Sequence, residues 1–176
     1  MAGLAGAIER QGPAVPLDDI DRELIRRLAA DPRASQRQLA REISMSGPAV
    51  GERIARLERA GVTRGYTLSV DWAALGFPVL VYIPMSVAPG ADLAHILTSL
   101  RTIPEIEELI AVTGTYDLMA RFRLRDHAHL QAVLLEDLWP IEGLQRIETF
   151  LSLGEVRVSS VLDRLLGEEV ASDQAD

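Results

Sequence analysis

The chain has 176 residues, 48% of them hydrophobic, and a formal net charge of −8. That apolar share supports a sizeable core in one large domain or two small ones and excludes disorder as the starting expectation. With no cysteine, disulfides and thiolate metal sites are excluded, and a cytoplasmic location is expected because nothing calls for an oxidising compartment.

Residues 1–16 lack a basic start and meet Glu9 and Arg10 before any long apolar run, so they read as a flexible extension and not as a signal peptide. No stretch approaches the roughly 20 apolar residues that a membrane span needs, and a soluble protein is expected. From Leu17 the pattern turns helical. Ile20, Leu24 and Leu28 recur every four residues on one face. Asp18 can cap the start, Asp21 adds negative charge to the first turn, and Asp31-Pro32 ends the helix. A second helix opens at Ser35 with Gln38 three residues on, the spacing of a capping box, and carries Leu39 and Ile43 before "SMSGP" stops it.

The third helix has Ser46 as its N-cap, Pro48 in its first turn and Gly61 as its stop. Val50, Ile54 and Leu57 form the buried stripe. At 100° per residue, Ala49, Glu52, Arg56 and Arg59 fall opposite it, with Arg53 at the flank. Three short helices with a tight turn between the last two make a helix-turn-helix over residues 17–64, whose third helix is shaped to enter the major groove of double-stranded DNA. The charge agrees. All basic residues are arginine: residues 17–64 hold ten against eight acids, residues 65–176 seven against seventeen. A merely solvated charged face is the competing reading.

Beyond Gly61 the residues favour strands. "VTRGYTLSV" reads as a connecting strand and "DWAALG" as a hinge-like turn, with residues 65–76 as the linker between the domains; "FPVLVYIPMSV" is the next strand. A helix follows from Asp92 to Arg101, then the strands "IEELIAVTG" and "YDLMARFRL" around Gly114-Thr115, a helix over "HAHLQAVLLEDLW", and a last strand in "LQRIETFLSLGEV". The order from Phe77 is β-α-β-β-α-β, an α+β class ferredoxin-like sandwich over residues 77–157. One sheet face has no helices. Val79, Val81, Ile83 and Met85 are expected on it, so that the sheets of two chains pair to cover it. Residues 158–176 read as a short docking helix with Val158, Val161, Leu162 and Leu165, then an acidic tail.

The order and size of these parts resemble the Lrp/AsnC, or feast/famine, family of transcriptional regulators. The likeness spans about Leu17 to Arg157 and is carried by "LDDIDRELIRRLAADPRASQRQLA", "SGPAVGERIARLERAGV", "PGADLAHILTSLRTIPEIEELIAVTGTYDLM" and "GLQRIETFLSLGEV". It implies a helix-turn-helix domain of winged-helix type followed by a ferredoxin-like effector (RAM) domain. It also implies a homodimer that can build an octamer or other higher assembly, and DNA binding that responds to a small effector, usually an amino acid. By this resemblance Ser35, Gln36, Ser46, Ala49, Arg53 and Arg56 are the DNA-binding candidates. Gly114, Thr115, Tyr116 and Asp117 are the effector-binding ones: backbone N–H groups there suit a carboxylate and Asp117 an ammonium. An ordinary hairpin turn with Asp117 capping its own backbone is the alternative.

The chain departs from the family at Ser44, where members usually have glycine in the turn, so a residue with a Cβ is asked for positive φ. Gly51 and Glu52 stand where a polar or basic residue is more usual. Glu52 repels phosphate, though it can accept from cytosine N4. Arg121, Arg123 and Arg125 alternate onto one sheet face and are expected to meet solvent or the acids of another subunit. No catalytic constellation or cofactor motif appears, and an enzyme is not expected. His95, His127 and His129 read as exposed residues, no metal ligands. Two alternatives stay open. Sirohaem decarboxylases resemble the same two-domain architecture, and an architectural DNA-binding protein would need no effector.

Overall fold

The computed structural model of the protein describes residues 12–156 and 160–167. The expectations for residues 1–11, for Val158 and for the acidic tail lie outside the described residues. Two compact units form, one from residues 12–68 with the C-terminal helix, the other from residues 69–155.

In the first unit, α1 (Asp19–Ala30), α2 (Gln36–Glu42) and α3 (Gly47–Arg59) follow the sequence expectations closely. Their apolar stripes meet in a small core of Leu24, Leu28, Leu39, Ala40 and Val50, and Leu57 is also fully buried. Each start is capped as its side chain predicts: Asp18 accepts from the Asp21 N–H, Ser35 from Gln38 and Ser46 from Ala49. The capping box expected at Ser35 is only half made, because the Gln38 amide donates to Glu42 at 3.2 Å and does not reach back to the cap. The box closes instead on α1, where Asp21 Oδ2 accepts from the Asp18 N–H at 3.1 Å.

Both later helices end in a left-handed residue. Gly61 (φ 70) closes α3, with the Val62 N–H reaching Leu57 O and the Gly61 N–H reaching Glu58 O. Ser44 (φ 57) does the same for α2, with the Met45 N–H on Ala40 O at 2.9 Å. Serine thus holds the strained position that the sequence flagged. A last helix, α6 (Val161–Gly167), belongs to this unit, and Leu166 O accepts from Arg26 Nη2 on α1.

Residues 62–70 carry no strand, so the expected connecting strand is not formed: β-branched residues supply propensity, but a strand needs a neighbour to pair with. "DWAALG" does turn, with Asp71 Oδ1 accepting from the Ala73 and Ala74 N–H groups.

The second unit contains β1 (Val79–Val87), α4 (Leu93–Arg101), β2 (Ile106–Ala111), β3 (Leu118–Leu124), α5 (His127–Leu138), β4 (Leu144–Ile147) and β5 (Phe150–Leu151). The sheet order is β2-β3-β1-β4 with β5 also on β1, all antiparallel, as a ferredoxin-like sandwich requires. The expected last strand is thus two short pieces along one edge. The final turns of α5, Val133–Leu138, are π-helical, which helical periodicity in the sequence does not reveal.

One expectation reverses. Val81, Ile83 and Met85 lie under the helices with Phe122, Leu118 and Ile96 in the main core, and Val79 packs against it. The helix-free face holds the other set: Leu80, Tyr82 and Pro84 of β1, paired with Arg123, Arg121 and Met119 of β3. Alternation establishes two faces but cannot say which one the helices cover.

Candidate DNA interface and effector turn

Ser35 caps and Gln36 opens α2, while Ser46 caps α3 and Ala49 lies in its first turn. Gln36 lies against α3 so closely that a Cβ on Gly51 would stand 2.9 Å from its Oε1. A larger residue there would need only the flexible end of the Gln36 side chain to move. Ser35, Gln36 and Ser46 are exposed and Ala49 is half-buried. Beside them Arg37 and Arg41, one turn apart on α2, border an open hollow of about 580 Å³ with Gly47 and Pro48. Both arginines are exposed. Their spacing after the Ser35 cap, which places them on a single face, is the one sign of them in the sequence.

Arg53 and Arg56 are differently placed. Arg53 Nη1 donates to Asp21 Oδ1 at 2.9 Å and to Asp18 Oδ2 at 2.7 Å, and Arg56 Nη2 donates to Asp21 Oδ2. Asp21 is 1% exposed. Its carboxylate accepts from its own α1 cap and from both α3 arginines, tying the first helix to the third. Burial pushes its pKa up, but the hydrogen bonds from Arg56, the Asp18 backbone and Arg53 together hold it below the ordinary carboxylate value. The Arg56 side chain remains 42% exposed and that of Arg53 26%. Much of the positive charge counted on α3 is thus neutralised within the unit, and the exposed Glu52 subtracts further.

In the second unit the turn between β2 and β3 carries the four effector candidates. Gly114 has φ 120 with open space where a side chain would be. Thr115 is exposed. Asp117 Oδ2 accepts from the Val87 N–H at 2.8 Å, and its own N–H donates to Met85 O at 3.0 Å. Asp117 therefore anchors the turn to β1.

Tyr116 meets two residues that the sequence did not single out. The Arg146 guanidinium sits 5.6 Å from the Tyr116 ring centroid, and Arg146 Nε is 2.8 Å from Glu148 Oε1. The hydrogen bond from Tyr116 to Glu148 raises the tyrosine's pKa and lowers the glutamate's. The exposed Arg146 and the half-buried Tyr116 and Glu148 form a set with one cation, one anion and one aromatic ring. No signal in the sequence joins positions 116 and 146–148; β1, lying between β3 and β4, does.

The chain matches the AsnC-type helix-turn-helix domain over residues 17–58 and the Lrp/AsnC ligand binding domain over residues 80–162. It is 31% identical over 135 residues to an uncharacterised HTH-type transcriptional regulator of Pyrococcus abyssi, covering 77% of this chain and 85% of that one. To the leucine-responsive regulatory protein of Escherichia coli K12 it is 29% identical over 155 residues, 87% of this chain and 94% of the other. Among solved structures, the transcriptional regulator NMB0573 of Neisseria meningitidis, in complex with L-methionine, shares the fold. Its TM-score is 0.78 at 23% identity, over 85% of this chain and 99% of that one.

Proposed function

The chain belongs to the Lrp/AsnC family of transcriptional regulators, and from that premise we propose how its two units divide the work of DNA binding and effector response. Family and relatives are transcriptional regulators, which sets aside the decarboxylase reading.

The DNA-reading edge is formed by the starts of α2 and α3. Ser35 and Gln36 meet phosphates, Ser46 and Ala49 lie at the groove, and Arg37 and Arg41 supply the charge that Arg53 and Arg56 partly withhold. The exposure of that arginine pair beside the two helix starts is the observation that carries this reading. Arg56, nearly half exposed, still has donors to offer a phosphate while Asp21 holds it in place.

The effector is a zwitterion of the amino-acid class, bound beside Gly114, Thr115 and Tyr116. Its carboxylate replaces Glu148 on Arg146 and its ammonium replaces Arg146 on Glu148, so binding exchanges one ion pair for two. L-Methionine bound to the same fold in the Neisseria protein supports that class. A homodimer places two recognition helices about 34 Å apart, one turn of DNA. Effector binding between subunits favours one assembly over another and so changes that spacing, which requires unequal affinity for the two assemblies.

The test is a gel-shift with the promoters of the chain's own and neighbouring genes, repeated with each amino acid. Retardation that one amino acid alters is expected, and replacing Arg37 and Arg41 with alanine should flatten the salt dependence by about one unit of slope per arginine. Retardation that no amino acid changes would favour an architectural DNA-binding protein, and equal retardation by the double variant would displace the proposed edge.

A further inference from the structure

We propose that a hollow on the second unit, at the opposite end of β3 from the effector turn, binds a small aromatic carboxylate. The seven residues of β3 separate the two places by roughly 20 Å at about 3.3 Å per residue. The hollow is thus a second site, independent of the Tyr116 turn.

Its volume is about 290 Å³, and Trp72 and Phe77 form its aromatic wall with Pro104 and Ile106. One turn positions both rings: Asp71 Oδ1 accepts from the Ala73 and Ala74 N–H groups, and the Phe77 N–H donates to Trp72 O at 2.8 Å. Such walls select a flat apolar body.

Four charged side chains border the hollow, and three are already committed. The Arg123 guanidinium lies 5.8 Å from the Trp72 ring centroid and donates to Glu107 at 2.8 Å and Glu155 at 3.2 Å. Glu107 is shared between Arg123 and Arg121. Glu105 faces the buried His129, with Nε2 and Oε1 3.0 Å apart. The Arg125 backbone N–H donates to His129 Nδ1 at 3.2 Å. That nitrogen is therefore the acceptor and Nε2 carries the proton given to Glu105. His129 is thus a buried partner that fixes Glu105, in place of the exposed residue that its sequence position suggested.

Arg125 is the fourth. Arg125 borders the hollow, is exposed, and has no ion-pair partner among the described residues. A planar donor array beside an aromatic wall, with the neighbouring carboxylates already engaged, fits an aryl carboxylate: oxygens on Arg125, ring against Trp72 and Phe77.

The probe is phenylacetate, titrated into full-length protein carrying Trp139→Phe. Trp139 is 65% exposed, and its replacement leaves Trp72 as the only tryptophan of the two. A saturable change in Trp72 emission is expected, with affinity about tenfold or more weaker in Arg125→Gln and no comparable response to the neutral 2-phenylacetamide. No saturable change, an affinity unaltered in Arg125→Gln, or binding of phenylacetamide or phenethylamine as tight as that of phenylacetate would each overturn the proposal. Because the readout is ligand binding, it stands or falls separately from the gel-shift with amino acids.

Discussion

In the sheet unit Val81, Ile83, Met85, Phe122 and Leu124 all reach 0% exposure under two helices, and His129 is the one buried polar side chain of this unit among the described residues. The helical unit buries a shorter apolar set and keeps the Asp21 carboxylate at 1% exposure among it. Three short helices cannot cover much apolar surface. The carboxylate and two arginines supply what the small core lacks, namely a fixed orientation of α3 against α1. The sheet unit also has an arginine cluster, Arg121 and Arg123 with Glu107 and Glu155, but it lies on the helix-free face, away from the core. An ion cluster thus organises one unit and decorates the other.

Four substitutions test that contrast. Phe122→Ala should cost about 3–5 kcal/mol in denaturant unfolding. Its loss of amide-exchange protection should fall on β1 and β3 and spare α1 to α3. Asp21→Asn should cost about 2–3 kcal/mol, less than for a fully buried pair because both arginines can turn to water. Here the lost protection should appear in α1 and α3. The folded pKa of Asp21 lies below its ordinary value. Its stabilisation is therefore full above the unfolded pKa of about 3.9 and disappears as pH falls through the lower folded value. The gap between wild type and Asp21→Asn should stay constant from pH 7 to 5 and narrow below about pH 4. A gap that widens on acidification would contradict the assignment.

Ser44→Gly should stabilise the helical unit by about 0.5–1 kcal/mol, relief of the left-handed backbone exceeding the added chain entropy. A loss of stability in thermal unfolding would mean that the serine hydroxyl contributes to the turn. Glu107→Gln should cost about 0.5–1 kcal/mol at low ionic strength and less at high salt. If it costs as much as Asp21→Asn, the two ion clusters are equivalent and the contrast fails.

Much of the helical unit is legible in the residues themselves. Asp18, Ser35, Ser46 and Gly61 sit at the helix boundaries they predict, and Ser44 takes the positive φ that its place in the turn demands. Caps and apolar stripes act over three or four residues, so a linear reading finds them. The same periodicity puts Arg56 on the outward face and Arg53 at its flank, and carries no sign of a carboxylate 35 and 32 residues away that holds both. It also placed His129 in solvent, although Glu105 lies 24 residues away and adjacent in the fold. In the proposed effector site the turn was legible, whereas Arg146 and Glu148 were not, since only strand order sets them beside Tyr116.

The sequence by itself therefore determined the order of the helices and of the core strands, the helix ends, the strained turn and the family, each encoded in short-range patterns or in their succession along the chain. Only the tertiary structure decided which face of β1 the helices cover, which arginines are held by buried acids and which remain exposed, and which residues surround the Trp72 hollow. Those outcomes depend on groups far apart in the chain, and neither a period of two nor a period of three and a half contains the packing partner that selects among them.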